Sequence, residues 1–200
     1  ASDPTKLRPL GIGEVWYRFF GRSLMIHFSE AISDMNHASY DFLPFQLGCC
    51  VRSGCEIAAR ASQMAYDSGD GNNIIISLDL QNAYQNVKRS SIMDHLLEKY
   101  STLAKLFNWA YGEDSPLFLA NGIHVGSAHT GVKQGDPLGA FFFCHGLQPA
   151  LKEIHSEIGR SRDLANVPPR LPQSVDGLNR GGLGNGLSNV GILAYIDDIT

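Results

Sequence analysis

Three aspartates stand where they could act together on a metal ion. Asp79 lies at the end of an apolar run, residues 74–80, and Asp197 and Asp198 follow a second apolar run, residues 190–196. Neighbouring carboxylates repel one another unless a cation lies between them, and an unpaired charge in an apolar setting is costly. The pattern therefore indicates a site for a divalent cation bound by oxygen ligands.

The ion that suits such ligands is Mg²⁺. Oxygen ligands select hard cations, and Mg²⁺ in proteins combines one or two carboxylates with waters and substrate phosphates. Two such ions, roughly 3.5–4 Å apart, can activate an attacking hydroxyl and stabilise a leaving pyrophosphate. We therefore expect two Mg²⁺ ions, with Mn²⁺ as a substitute, and nucleotidyl transfer as the chemistry.

Both apolar runs predict β-strands. Residues 74–80 are rich in β-branched residues and apolar on both faces, which is typical of a strand inside a sheet. Residues 190–196 form a similar run that ends where a turn is expected. A sheet containing both strands would bring Asp79 and Asp197 together.

Helices are predicted around these strands. Helical spacing from about residue 14 to 32 carries a broad apolar face and predicts a core helix. Ser53 and Glu56 form a capping-box pattern for a helix through about Met64. Ser91, with an aspartate three positions later, predicts the start of another helix.

Four further segments complete the predicted order. Apolar spacing over residues 103–110 predicts a helix, and Asp136 followed by proline predicts the start of one that continues to about Leu151. The dipeptide at 121–122, Asn-Gly, predicts a two-stranded ribbon with a type I′ turn. Residues 160–189, rich in Gly and Pro, predict a loop insertion.

Composition sets broad limits. The 200 residues are 44% hydrophobic and 10% aromatic, enough for one substantial core or two small ones. The net charge of -4 argues against a protein that binds the phosphate backbone of a nucleic acid. Bound cations would, however, neutralise the carboxylates of a metal site. Neither a signal peptide nor a membrane span is predicted, so we expect an intracellular setting, nuclear or cytoplasmic, and no membrane partner. Nothing indicates the oligomeric state.

Five segments resemble motifs of reverse transcriptases, in the same order. Residues 79–87, DLQNAYQNV, resemble the first palm motif, an aspartate followed five positions later by Tyr or Phe. Residues 131–138, GVKQGDPL, and 194–198, AYIDD, are similar to the G-x-x-Q-G-D-P-L and Y-x-D-D motifs. Upstream, residues 7–10 resemble the R-P-[IL] motif of the fingers, and residues 45–53 are similar to the Q-x-G segment between fingers and palm. The resemblance is closest to enzymes of non-LTR retrotransposons and group II introns.

The resemblance implies an α+β right-hand palm, an antiparallel sheet backed by helices, with fingers elements and without a thumb. Residues 1–70 would form the fingers and fingers-palm helices, and residues 71–200 the palm, with about 100–130 returning to the fingers. The thumb and later palm motifs would follow Thr200, so we expect the 200 residues alone to be inactive.

The resemblance also implies site residues. Asp79, Asp197 and Asp198 would be catalytic carboxylates that hold the metal ions, and the backbone carbonyl of Leu80 would be a further ligand. The partners would be an RNA template, a DNA primer and dNTPs.

Substrate contacts follow in the same way. Tyr84 would lie beneath the incoming sugar, where its ring would collide with a 2′-hydroxyl. Gln134 and Gly135 would pack against the incoming nucleotide and the template, and Arg8 and Lys6 would reach the triphosphate.

Simpler roles compete with these assignments. Asp79 could cap a helix, Tyr84 could be core, Gln134 a polar loop residue and Arg8 a surface cation. We expect Asp136 to cap its helix and exclude it from the metal set.

Two other functions stay open. An RNA-dependent RNA polymerase is disfavoured, because such enzymes usually carry an aspartate where Tyr84 stands and a glycine before the final aspartate pair. The other alternative is a catalytically silent scaffold of reverse-transcriptase-like fold that binds RNA or protein.

Overall fold

The computed structural model describes residues 11, 13–33, 42, 45–49, 51, 53–67 and 77–164, with backbone only at 28–33 and 159–164. Within these residues it forms the helices α1 (Val15–Ser33), α2 (Gly54–Asp67), α3 (Ala83–Asn86), α4 (Arg89–Lys99), α5 (Ser101–Tyr111) and α6 (Gly139–Leu164), and the strands β1 (Ser115–Phe118) and β2 (His124–Ala128). The strands form a two-stranded antiparallel sheet. The protein is therefore α+β, as predicted.

The described residues fall into two compact units. The first takes its residues from Ala1–Ile26 and Leu80–Gly146, and the second from His27–Asp79 and Leu147–Thr200. Each unit thus combines segments that are distant in sequence.

The core of the first unit is aromatic. Phe142 is fully buried and meets the edges of two other buried rings, Phe107 at 4.9 Å and Tyr111 at 6.0 Å between centroids. The other buried apolar residues from α4 onward in this unit are Ile92, Leu96, Ala104, Val132, Leu138, Phe141, Phe143 and Cys144. Burial of large aromatic side chains dominates the stabilisation of such a core.

A pair of histidines is enclosed in this core. The Nδ1 atoms of His95 on α4 and His145 on α6 lie 3.1 Å apart, and both residues are buried. One ring must donate and the other accept, so the contact requires complementary tautomers.

The second unit has its own small core. Phe42, Phe45, Leu47, Cys49 and Leu151 are buried there. The amide of Gln46 donates to the side-chain oxygen of Gln148 at 2.6 Å, and both amides are buried. This bond offsets the cost of removing two polar groups from water.

The helix predicted near residues 14–32 is confirmed as α1, but its predicted burial is wrong. Trp16 is 74% exposed, and Val15, Phe19, Phe20 and Ile26 are also exposed. The side of α1 that packs is a narrow stripe through Tyr17 and Gly21, since a side chain at Gly21 would meet the proline that follows Asp136.

The predicted hairpin is confirmed, whereas its turn type is wrong. Leu119 donates its N–H to the Ile123 carbonyl at 2.9 Å, and Gly122 donates to the Leu119 carbonyl at 2.8 Å. Gly122 has φ 82°, and Asn121 is not in the left-handed region. The loop therefore has three residues and ends in a left-handed glycine, the alternative to a two-residue type I′ turn.

The helix predicted to open at Ser53 is confirmed as α2, which begins at Gly54 and continues past Met64 to Asp67. Its start has no capping-box geometry, because Ser53 has φ 57° and is not extended, and Glu56 pairs with Arg60 at 2.6 Å. The helix start predicted at Ser91 differs from the structure. Helix α4 begins at Arg89, before Ser91, whose hydroxyl donates to the carbonyl of Gly146 at 3.1 Å.

Helix α6 is longer than predicted. It continues well past Leu151 to Leu164, with Pro149 inside it. Ile154 and Ile158 keep apolar residues at helical spacing beyond the proline. Residues 160–164 of the predicted insertion are therefore helical, and the remainder of that insertion lies outside the described residues.

The predicted strand at residues 74–80 is wrong over 77–80. These four residues have no regular secondary structure and are exposed, with Leu78 at 83%. A strand needs a hydrogen-bonded neighbour, and no described residue pairs with them. Residues 74–76 and the expected partner at 190–196 lie outside the described part of the chain.

The described helices include none whose length and apolar character would suffice to cross a bilayer.

Candidate functional site

The loop at residues 131–138 is fastened to the segment that follows Asp79 in sequence. The N–H of Gly131 donates to the Val87 carbonyl at 3.0 Å, and that of Val132 donates to the Tyr84 carbonyl at 2.8 Å. The Thr130 hydroxyl adds a bond to the Gln85 carbonyl at 2.9 Å. Two of the segments singled out in the sequence therefore meet in the first unit.

Gly131 permits this meeting. Its φ is 69°, and a Cβ added there would collide with the carbonyl groups of Tyr84 and Gln85. Any other residue would combine a strained backbone with a steric clash. The first glycine of the G-x-x-Q-G-D-P-L pattern is thus required by close packing of the backbone.

Arg89 anchors the loop from the side. Its guanidinium donates to the carbonyls of Gly131 at 3.0 Å, Tyr111 at 3.1 Å, Ala128 at 3.1 Å and Glu113 at 3.3 Å. Burial lowers the pKa of Arg89 from its usual value. One side chain therefore joins the start of the loop to the end of α5 and to the end of β2.

The predicted substrate residues Gln134 and Gly135 are the two central residues of a tight turn. Asp136 donates its N–H to the Lys133 carbonyl at 3.1 Å, which closes the turn. Gly135 has φ 95°, as the third position of a type II turn requires. Gln134 is half-buried and its carbonyl accepts the N–H of Gly11 at 2.8 Å, whereas Gly135 is exposed.

The carboxylate of Asp136 receives three hydrogen bonds. Its Oδ1 accepts the N–H of Leu138 at 2.9 Å, so Asp136 caps the turn that leads into α6, whereas the helix itself begins later than predicted, at Gly139. Its Oδ2 accepts the Tyr17 hydroxyl at 2.7 Å and also the Tyr111 hydroxyl. Burial, and then the Asp136 charge, raise the pKa of both tyrosines, so both phenols stay protonated as donors.

Tyr84 is 8% exposed, and its ring stacks on that of Phe143. It belongs to the core of the first unit and lies in the same unit as the Gln134–Gly135 turn. Its contact with an incoming sugar stays a prediction.

The predicted metal site lies mostly beyond the described residues. Asp79 and Leu80 are both exposed residues, and a carboxylate and a main-chain carbonyl are hard oxygen donors of the kind that Mg²⁺ prefers. Asp197, Asp198, Arg8 and Lys6 lie outside the described residues. In the described ranges, no three His, Cys, Asp or Glu residues form a group that could hold a metal ion.

Sequence reasoning missed three residues that shape the loop: Tyr17, Tyr111 and Arg89. Tyr111 stands at helical spacing with Phe107 and therefore looks like ordinary core. No spacing rule pairs a tyrosine with an aspartate 25 positions later. Only the fold could reveal these contacts.

Comparison of the chain with protein-family models, with curated proteins and with solved structures gives no match.

Proposed function

We propose that this chain is the fingers-and-palm portion of an RNA-directed DNA polymerase, which extends a DNA primer on an RNA template with dNTPs. The observation that carries the proposal is the order and spacing of three motifs: DLQNAY from Asp79, QGDPL from Gln134 and YIDD ending at Asp198. An aspartate pair alone is common in sequences of this length, whereas three such motifs in order are not.

The packing of the first unit supports the proposal. In a polymerase palm the residues after the first aspartate and the Q-G loop must face the same nucleotide. Here, two backbone hydrogen bonds join that segment to the loop at residues 131–138: the Val132 N–H donates to the Tyr84 carbonyl, and the Gly131 N–H donates to the Val87 carbonyl. The segment that contains Tyr84 and the loop that contains the Gln134–Gly135 turn are therefore joined within one unit, as a shared nucleotide site would require.

Each described residue has a task in this proposal. Gly135 offers a backbone without a side chain, which a base or sugar can approach closely. Tyr84, held flat against Phe143, forms a rigid wall, and a rigid wall rejects a 2′-hydroxyl better than a mobile one. The Asp79 carboxylate, with Asp197 and Asp198, would hold Mg²⁺, and the bound ions would supply Lewis-acid activation of the primer hydroxyl and charge stabilisation of the leaving pyrophosphate.

Primer extension tests the proposal. The chain, alone and joined to any segment that follows it in its natural protein, is given primed RNA, dNTPs and Mg²⁺ or Mn²⁺. We expect extension in the active form, and loss of extension in Asp79→Asn and Asp197→Asn, because a metal ligand acts mainly on the transition state.

Asp94→Asn is the matched control. Asp94 is an exposed carboxylate on α4, outside the three motifs, so its replacement should leave extension unchanged. Binding of RNA that is indifferent to Mg²⁺, without extension by any form of the wild type, would favour the silent scaffold. Extension with ribonucleotides alone would favour an RNA polymerase.

A further inference from the structure

The hydroxyl of Tyr111 contacts both ends of the turn that contains Gln134 and Gly135. It accepts the N–H of Lys133 at 3.2 Å and donates to the carboxylate of Asp136. Lys133 and Asp136 are the first and last residues of that turn. A single oxygen atom therefore fixes the separation of the turn's two ends.

Tyr111 is itself rigid. It is 2% exposed, and its ring stacks on Phe107 with centroids 5.3 Å apart. Lys133 Nζ and the Arg89 guanidinium carbon lie 5.2 and 5.3 Å from the ring centroid. Such cations are attracted to an aromatic face. The hydroxyl is thus held by the core of the unit, and the turn takes its position from that core.

Tyr17 provides an internal comparison. Its hydroxyl also donates to Asp136, at 2.7 Å, but it makes no hydrogen bond to Lys133. The two tyrosines share one acceptor and differ in their contact with the start of the turn. A role that depends on joining both ends should belong to Tyr111 and not to Tyr17.

We propose that Tyr111 is a positioning residue, whose hydroxyl sets the Gln134–Gly135 turn in the orientation that contacts the incoming nucleotide. The identity of the ligand rests on the proposed function, whereas the fixing of the turn rests on the contacts described. The side chain of Tyr111 is buried, so it touches no substrate and acts only through Lys133 and Asp136.

Amide hydrogen exchange in the 200-residue chain tests whether Tyr111 fixes the turn, and it needs no substrate. Tyr111→Phe keeps the ring and removes the hydroxyl. We expect the Lys133 amide to exchange about tenfold faster, the factor expected for loss of one hydrogen bond, because exchange reports local opening. Tyr17→Phe should leave the Lys133 amide near its wild-type rate. Equal exchange at Lys133 in the wild type and Tyr111→Phe would overturn the proposal.

Steady-state extension kinetics test whether the turn fixed by Tyr111 contacts the incoming nucleotide. Tyr111→Phe should raise KM for dNTP several-fold with a much smaller change in kcat, because the turn would contribute binding that is common to substrate and transition state. Tyr17→Phe should show a smaller rise. Faster exchange with an unchanged KM would overturn the link to the nucleotide.

The two proposals can fail separately. If the wild-type protein does not extend a primer under any condition, the polymerase proposal fails. The exchange rates at Lys133 then still decide whether Tyr111 fixes the turn. A melting temperature measured for each variant separates a local effect from general destabilisation, which would speed exchange across α5 and α6 as well.

Discussion

The ring of Tyr84 lies flat on the ring of Phe143, with centroids 4.9 Å apart and planes 3° apart. The first residue follows the DLQNA segment and the second lies in the first turns of α6, beyond the QGDPL segment. The stack therefore couples two of the three motifs through the core. A substitution at Tyr84 should therefore change the stability of the protein, whether or not it also changes a substrate contact.

Removing the Tyr84 ring should destabilise the protein strongly. Tyr84→Ala should lower the free energy of unfolding by about 3–5 kcal/mol, the usual cost of deleting a buried aromatic ring. Tyr84→Phe keeps the stack and should cost less than about 1.5 kcal/mol. Urea denaturation of both variants measures the difference, and equal losses would contradict the role of the stack.

The same substitution addresses sugar selection. Tyr84→Ala should admit ribonucleotides in primer extension, because the wall facing the 2′-hydroxyl is removed. Circular dichroism at the assay temperature must first show that the variant is folded. A folded variant that still discriminates against ribonucleotides would remove the steric role from Tyr84.

Replacement of Gly131 should cost more than replacement of Gly122. Both have positive φ, 69° and 82°, but a Cβ at Gly131 would collide with backbone carbonyls, whereas nothing lies within 4 Å of a Cβ at Gly122. Gly122→Ala should cost about 1–2 kcal/mol for the left-handed backbone. Gly131→Ala should cost clearly more, and a similar loss in chemical denaturation would show that the close approach is unimportant.

Arg89→Lys should be destabilising although it keeps the charge. An ammonium cannot reproduce a guanidinium fork that reaches four carbonyls. We expect a loss of about 1.5–3 kcal/mol in the free energy of unfolding. Arg60→Lys is the control, because Arg60 forms an exposed pair with Glu56, and such pairs contribute at most about 1 kcal/mol. Equal effects of the two changes would contradict the anchoring role.

Stability should fall at alkaline pH. The pKa values of Tyr17 and Tyr111 are raised in the folded protein, chiefly by burial. Above the ordinary tyrosine pKa of about 10 the unfolded chain loses phenolic protons that the folded chain keeps, which favours unfolding. Each phenol that is ionised in the unfolded chain and protonated in the folded one contributes about 1.4 kcal/mol per pH unit, and for Tyr17, which is partly exposed, solvent screening narrows the pH range of this contribution.

Denaturation midpoints between about pH 10 and 11.5 measure this slope. The variant with both Tyr17→Phe and Tyr111→Phe should lose stability less steeply than the wild type over that range. Parallel curves would mean that the two phenols ionise equally in both states.

The sequence predicted the helices and the hairpin well, because apolar spacing and an Asn-Gly pair are local signals. It failed on burial in α1. Helical periodicity shows that Trp16 and Phe20 share a surface, but not whether another element covers that surface.

The candidate site was predictable only in part. The residue types and order of the QGDPL segment predicted that it belongs to the site. The capping role of Asp136 was predicted from the proline that follows it. The contact of Tyr111 with both ends of the turn depends on packing between α5 and the loop, which no local pattern encodes. The same holds for Arg89, whose acceptors are backbone carbonyls and so have no residue-type signature.

The hydrogen bond from Tyr17 to Asp136 spans 119 positions of sequence, and the two units are interleaved along the chain. During synthesis on the ribosome, the first unit can close only after residues through Gly146 have emerged. Until then Phe107 and Tyr111, which pack on Phe142 in the folded unit, are exposed to other nascent chains, a situation that promotes aggregation. Coexpression with a chaperone should therefore raise the yield of folded protein. This gain should exceed the gain from slower cooling when the purified, heat-unfolded chain is refolded.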